Sequence, residues 1–152
     1  MYDLVSDDIV AKMWTVLHQA SDAASRVASK RFRPLGVSSQ QVYVLLILAR
    51  SASPPTCSEI SRIVMRRPHT VTALLNGMQR AGLIKRVKDK ESQKLVRIVM
   101  TEKGRQVWEK VMQTPLSLEF TSLLSIGEFR QLVSMLEKVR DSALRQSEVE
   151  SL

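Results

Sequence analysis

Cysteine is nearly absent. Cys57 is alone, so no disulfide can close within the chain. Aromatic residues are scarce, with two Trp, two Tyr and three Phe among 152 residues, while Leu, Val, Ile and Met are plentiful, a balance that leans toward helices. No apolar run approaches the roughly 18–20 residues that a membrane span needs; the longest, Val42–Ala49, has eight. The acidic start, Asp3, Asp7 and Asp8, lacks the basic-then-apolar order of a secretory signal. His18 and His69 are the only histidines, and no Cys/His/Asp cluster has metal-ligand spacing. There is no phosphate-cradling glycine loop, no Gly-x-Ser-x-Gly and no nucleophile–base set. These absences predict a single cytoplasmic domain that is not an enzyme, takes no metal or cofactor, and does not engage a membrane.

What is present is positive charge in one place. The net charge is +8. Residues 50–110 carry fourteen Lys/Arg against five Asp/Glu, or +9, whereas residues 1–49 sum to +1 and residues 111–152 to −2. A basic block in the middle of the chain attracts a polyanion. Nucleic acid and an anionic surface both fit that charge, and so does a plain solvated face.

The periodicity predicts a first helix from Ser6 to about Lys30, broken by Arg33-Pro34-Leu35-Gly36. Ser38-Ser39-Gln40-Gln41 has the form of a capping box and opens a second, well-buried helix over Val42–Ala49. Thr56-Cys57-Ser58-Glu59 opens a short third helix with Ile60, Ile63 and Val64 inward. Met65-Arg66-Arg67 is a turn, and Pro68 suits the first position of the next helix, where its missing N–H costs nothing. That helix turns Val71, Leu74, Leu75 and Met78 inward and stops at Ala81-Gly82. Leu83–Val87 and Leu95–Met100 read as two strands around a polar tip. Thr101-Glu102-Lys103-Gly104 starts a helix to at least Gln113, and Ser125-Ile126-Gly127-Glu128 caps a last amphipathic helix to about Leu144. The expected fold is therefore mainly α with a small β-hairpin wing.

Short helix, turn, helix and hairpin together make a winged helix-turn-helix. Such a unit lays its second helix in the major groove with N-terminal side chains at base edges. Pro68, His69, Thr70, Thr72, Ala73 and Asn76 lie off the apolar stripe or at its edge. The threonine methyls and Ala73 suit thymine methyls, and Asn76 suits adenine. Arg66 and Arg67, just before the helix, suit phosphates or a guanine. In the hairpin, Lys88, Lys90 and Lys94 crowd the tip and Arg86 and Arg97 stand on its arms, where cations can follow a backbone or enter a narrow minor groove.

Thr56–Ser61, His69–Thr72, Leu74 through Met78-Gln79-Arg80-Ala81-Gly82-Leu83-Ile84-Lys85-Arg86, and Met100-Thr101-Glu102-Lys103-Gly104 together resemble the MarR (multiple antibiotic resistance regulator) family. Ser39-Gln40-Gln41 and Leu124–Phe129 match in kind. The resemblance implies a homodimeric repressor on a pseudo-palindromic double-stranded operator. Residues 6–33 and 102–146 would supply the dimerisation helices and residues 38–101 the DNA-binding lobe, with two reading helices about one DNA turn, near 34 Å, apart. It also implies a pocket for a small aromatic effector that releases the DNA, for which Trp14, His18, Arg26, Tyr43 and Ile47 are candidates; ordinary core or surface roles suit the same residues. One departure stands out. Relatives usually carry Asp-x-Arg at the wing tip, and counting back from Thr101 puts Ser92 and Lys94 there. Lysine keeps the charge but loses the planar fork of arginine, so a weaker minor-groove contact is expected.

Cys57 falls in the first turn of a helix, where a thiol pKa can drop. Peroxide-sensing relatives carry their cysteine in the first helix instead, and an inert Cys57 is the better expectation. Two alternatives to operator binding remain: an RNA or single-strand binder, and a protein-interaction module without operator specificity. Single-strand binders stack bases on aromatic side chains, and residues 56–104 contain no Phe, Tyr or Trp. The basic block argues against the interaction module.

Overall fold

A computed structural model describes residues 8–89, 92, 94–114 and 123–149. The chain divides into two units, Met1–Thr114 and Pro115–Leu152. In the first, α1 spans Ile9–Phe32, with the Asp8 side chain accepting from the Val10 N–H. Ser6, where the sequence pattern starts this helix, lies outside the described residues. A 3-10 turn, Arg33–Leu35, ends at Gly36, whose φ of 71° is one that glycine adopts without a Cβ penalty. Helices α2 (Ser39–Arg50) and α3 (Cys57–Val64) each begin with the capping box that their sequences announce, Ser38 with Gln41 and Thr56 with Glu59.

The core of this unit gathers Phe32, Val37, Val44, Leu45, Ile60, Val71, Leu75, Met78, Ile84 and Ile98, all nearly or fully buried. Their burial comes from helical spacing in α2, α3 and α4 (Pro68–Arg80) and from the inner face of the hairpin. Ile63, expected inward, is exposed: α3 is only two turns long and buries Ile60 and Ser61 alone. The turn after α3 depends on two local devices. Met65 adopts a left-handed conformation with φ 53°, and the buried Ser61 hydroxyl donates to the Arg66 carbonyl at 2.6 Å.

Strands β1 (Ile84–Lys88) and β2 (Val96–Met100) pair antiparallel, with Arg86 opposite Ile98. The outer edge of β2 is also held: Thr56 bridges Arg97, and the Ile98 N–H donates to the Pro55 carbonyl at 2.8 Å. The hairpin is thus fastened to the loop that precedes α3.

Helix α5 (Glu102–Gln113) is locked to the end of α4. The Thr101 hydroxyl donates to the Gly82 carbonyl at 2.5 Å, the Thr101 N–H to the Leu83 carbonyl, and the Lys103 ammonium to the Ala81 carbonyl at 2.7 Å. Gly104 sits so close that a Cβ there would lie 2.1 Å from the Leu83 carbonyl oxygen. The segment is therefore a joint: Thr101 and Lys103 donate to carbonyls of the turn that follows α4, and Gly104 packs against the last of them.

In the second unit, α6 spans Ile126–Val149. Ser125 and Glu128 exchange capping hydrogen bonds at its start. Pro115, of a residue type that ends or kinks a helix, lies outside the described residues. Large apolar side chains stay exposed on α1 (Ile9, Val10, Met13, Trp14, Val16) and on α6 (Leu132, Val133, Met135, Leu136, Val139, Leu144). Along the inner side of the first helix, Leu17, Ala24, Val27 and Ala28 are half-buried and Phe32 is buried. No helix among the described residues is long and apolar enough to cross a membrane.

Candidate nucleic-acid interface

Helix α4 buries Val71, Leu75 and Met78. That choice of face dictates the opposite one. Arg66, Arg67, Pro68, His69, Thr70, Thr72, Ala73 and Asn76 are all exposed, so the side chains singled out from the sequence share one surface. Arg67 is the N-cap and contributes no side-chain cap hydrogen bond. The positive end of the helix dipole therefore meets solvent beside two arginines, a setting that favours an anion. Thr72 is not wholly free: its hydroxyl lies 3.5 Å from the Cys57 thiol, a link between α3 and α4. Cys57 itself is half-buried.

The far end of the reading helix holds a cluster that the sequence reading missed in part. Arg86, on β1, donates through Nη2 to Asn76 Oδ1 at 2.8 Å and through Nη1 to Gln79 Oε1. Together with Arg80 these residues line one shallow surface hollow. Gln79 and Arg80 stand three and four residues beyond Asn76, and that helical spacing was the available signal. Arg86 was expected to reach DNA from the wing, but its guanidinium instead spans two amides of α4.

Arg97 departs from expectation in the same way. Its Nε donates to Asp89 Oδ2 at 2.6 Å, and its Nη1 reaches the Pro54 carbonyl at 3.2 Å and Glu59 Oε2 at 3.4 Å. Those partners direct it to the base of the wing rather than its outer surface. Asp89 also accepts from the Ser92 N–H, so one carboxylate ties Arg97 to the turn. Glu59 is held below the usual glutamate value, first by the Thr56 hydrogen bonds of the capping box and then by the charges of Arg97 and Arg62. Lys88 and Lys94 are exposed. Lys90 lies outside the described residues.

The candidate effector residues do not converge. Trp14 and His18 are exposed on α1 and meet each other in an edge-on contact, ring centroids 4.7 Å apart. Ile47 is buried in the core, because α2 turns it inward with Val44. Tyr43 does line a cleft of about 420 Å³, together with Ser21, Ser25, Arg66, Thr70 and Leu74. Arg26 lines an adjoining groove that shares Ser25, Ser39 and Gln40 with it. The cleft is more polar than the sequence suggested, and Arg66, from the turn before the reading helix, forms part of its wall. Among the described residues no group of three His, Cys, Asp or Glu side chains could hold a metal ion.

Comparison with known proteins agrees with this geometry. A family model described as the MarR family matches residues 35–94. The transcriptional activatory protein BadR of Rhodopseudomonas palustris is 24% identical over 143 residues, spanning 91% of this chain and 82% of that protein. An organohalide-sensing transcriptional regulator, solved in its 2,4-dichlorophenol-bound form, superposes with a TM-score of 0.81 at 20% identity, covering 95% of this chain and 86% of the other. A mutant MarR from E. coli, solved with operator DNA, gives 0.79 at 23% identity over 91% and 99% of the two chains.

Proposed function

We infer that this chain is a MarR-family, sequence-specific transcriptional regulator that binds double-stranded DNA as a homodimer, a reading supported by the family model over residues 35–94. One observation carries the reading. The exposed face of α4 is an unbroken surface of cations, hydroxyls, small side chains and an amide, set beside a lysine-bearing hairpin. Base edges and phosphates call for that chemistry. The missing aromatics in residues 56–104 disfavour stacking on single strands. The apolar faces of α1 and α6 are the surfaces for a second copy. The site of action is the cytoplasm, and the mode is repression by occupancy of an operator; BadR is named for activation, so a reporter assay must read the sign.

Effector control belongs to the cleft beside Arg66. Tyr43 offers a ring, and Arg66 offers a cation to an aromatic acid or phenolate. An effector that engaged Arg66 would compete with DNA for it, giving the difference in affinity between states that release requires.

The test is binding to a duplex carrying the protein's own upstream region, against a scrambled duplex, over a salt series. Tight, salt-dependent preference for its own region is expected. Equal weak binding to both would end the autoregulation idea, and no binding to either at low salt would end the DNA-binding reading.

A further inference from the structure

We infer that Arg86 is a specificity-positioning residue: it fixes the amides of Asn76 and Gln79 so that both turn their NH2 donors toward the major groove, selecting guanine over adenine. The inference rests on the DNA-binding reading above and deepens it. Its physical basis is an inventory of donors and acceptors. A guanidinium carries five N–H donors and no acceptor. An amide that meets one must therefore turn its oxygen toward it. Arg86 meets two, at Asn76 Oδ1 and Gln79 Oε1. Both NH2 groups then point away from Arg86. Asn76 and Gln79 are exposed, and Arg80 beside them adds further donors.

The consequence for base readout is specific. Asparagine recognises adenine by pairing its oxygen with the N6 amino group and its NH2 with N7. With Oδ1 turned toward Arg86 and one of its two lone pairs engaged there, the NH2 group is the part of the amide left to face a base, and adenine loses the side-by-side oxygen and NH2 contact. Guanine presents two acceptors, N7 and O6, on the same edge, and both suit an NH2 group. The sequence alone suggested adenine for Asn76; the Arg86 contact reverses that preference. Arg86 itself touches no base in this scheme. It acts through the two amides, and it comes from a strand ten residues beyond Asn76.

The experiment is selection of bound sequences from a randomised duplex library by the full-length protein and by two variants, each checked for an unchanged thermal melt. Wild type should enrich guanine over adenine roughly ten-fold at the position whose preference Asn76→Ala abolishes. Arg86→Leu, which releases both amides, should bring adenine up to parity at that position while the remaining positions keep their pattern. Adenine enriched by wild type at the Asn76-dependent position would overturn the inference, as would an Arg86→Leu profile identical to wild type, or an Asn76→Ala profile with every position unchanged. Those failures leave an enriched operator in hand. A library with nothing enriched by any of the proteins would instead overturn the DNA-binding reading, and the inference with it.

Discussion

Gly104 is where a single atom has the largest effect. A Cβ there would press on the Leu83 carbonyl at 2.1 Å and on the Met100 side chain at 2.7 Å. The first contact is with backbone, which cannot swing aside. Gly104→Ala should therefore lower stability by about 2–3 kcal/mol, read as a lower urea midpoint at unchanged slope. Ser61 is a second sensitive position. Its buried hydroxyl is a partner of the Arg66 carbonyl, and Ser61→Ala should cost about 1–2 kcal/mol and loosen the turn that sets Arg66. Glu59 gives a pH dependence of known sign. Its folded-state pKa lies below the ordinary 4.5, chiefly through Thr56. The stability it contributes is fully present above that value and is lost as the pH falls through the lowered one. Urea midpoints taken on either side of pH 4.5 should fall less in Glu59→Gln than in wild type; an equal fall in both would argue against the capping box as the cause.

At the scale of elements, the reading helix and the wing should part company in their salt dependence. Arg66→Ala with Arg67→Ala should weaken DNA binding and make the slope of log affinity against log salt shallower by roughly 2, the number of phosphate contacts removed. Arg97→Ala should act differently, because its partners are Asp89, Pro54 and Glu59. It should speed amide exchange at Ser92 and Ile98, whose N–H groups sit beside that network, with a salt slope close to wild type. The elements themselves were legible in the sequence, because capping boxes, Pro68 at a first turn and Gly82 at a helix end are local signals. The roles of Arg86 and Arg97 were not legible. Their partners lie seven to forty-three residues away, and nothing in the spacing of a cation tells whether it will face DNA or a neighbouring carbonyl. Ile47 failed for a related reason: an apolar residue on a buried helix can line a pocket or fill a core, and here α2 is packed on the side that fills the core.

For the molecule as a whole, the exposed apolar side chains of α1 and α6 are too many for a stable monomer surface. Sedimentation equilibrium should give twice the chain mass. Val133→Glu with Leu136→Glu, both at exposed positions of α6, should yield a monomer and weaken operator binding by roughly a hundredfold, as expected when two linked half-site contacts become one. A dimer that survives both charges would assign the interface elsewhere. The joint between α4 and α5 has a final consequence. With Thr101, Lys103 and Gly104 all fixed on the carbonyls of Ala81, Gly82 and Leu83, the reading helix has little freedom to swivel on its own. An extra base pair between half-sites shifts the second one by roughly 3.4 Å and rotates it by about 35° around the duplex axis. A stiffly mounted helix cannot follow that corkscrew displacement, so one inserted base pair at the operator centre should harm binding as badly as several altered letters within it.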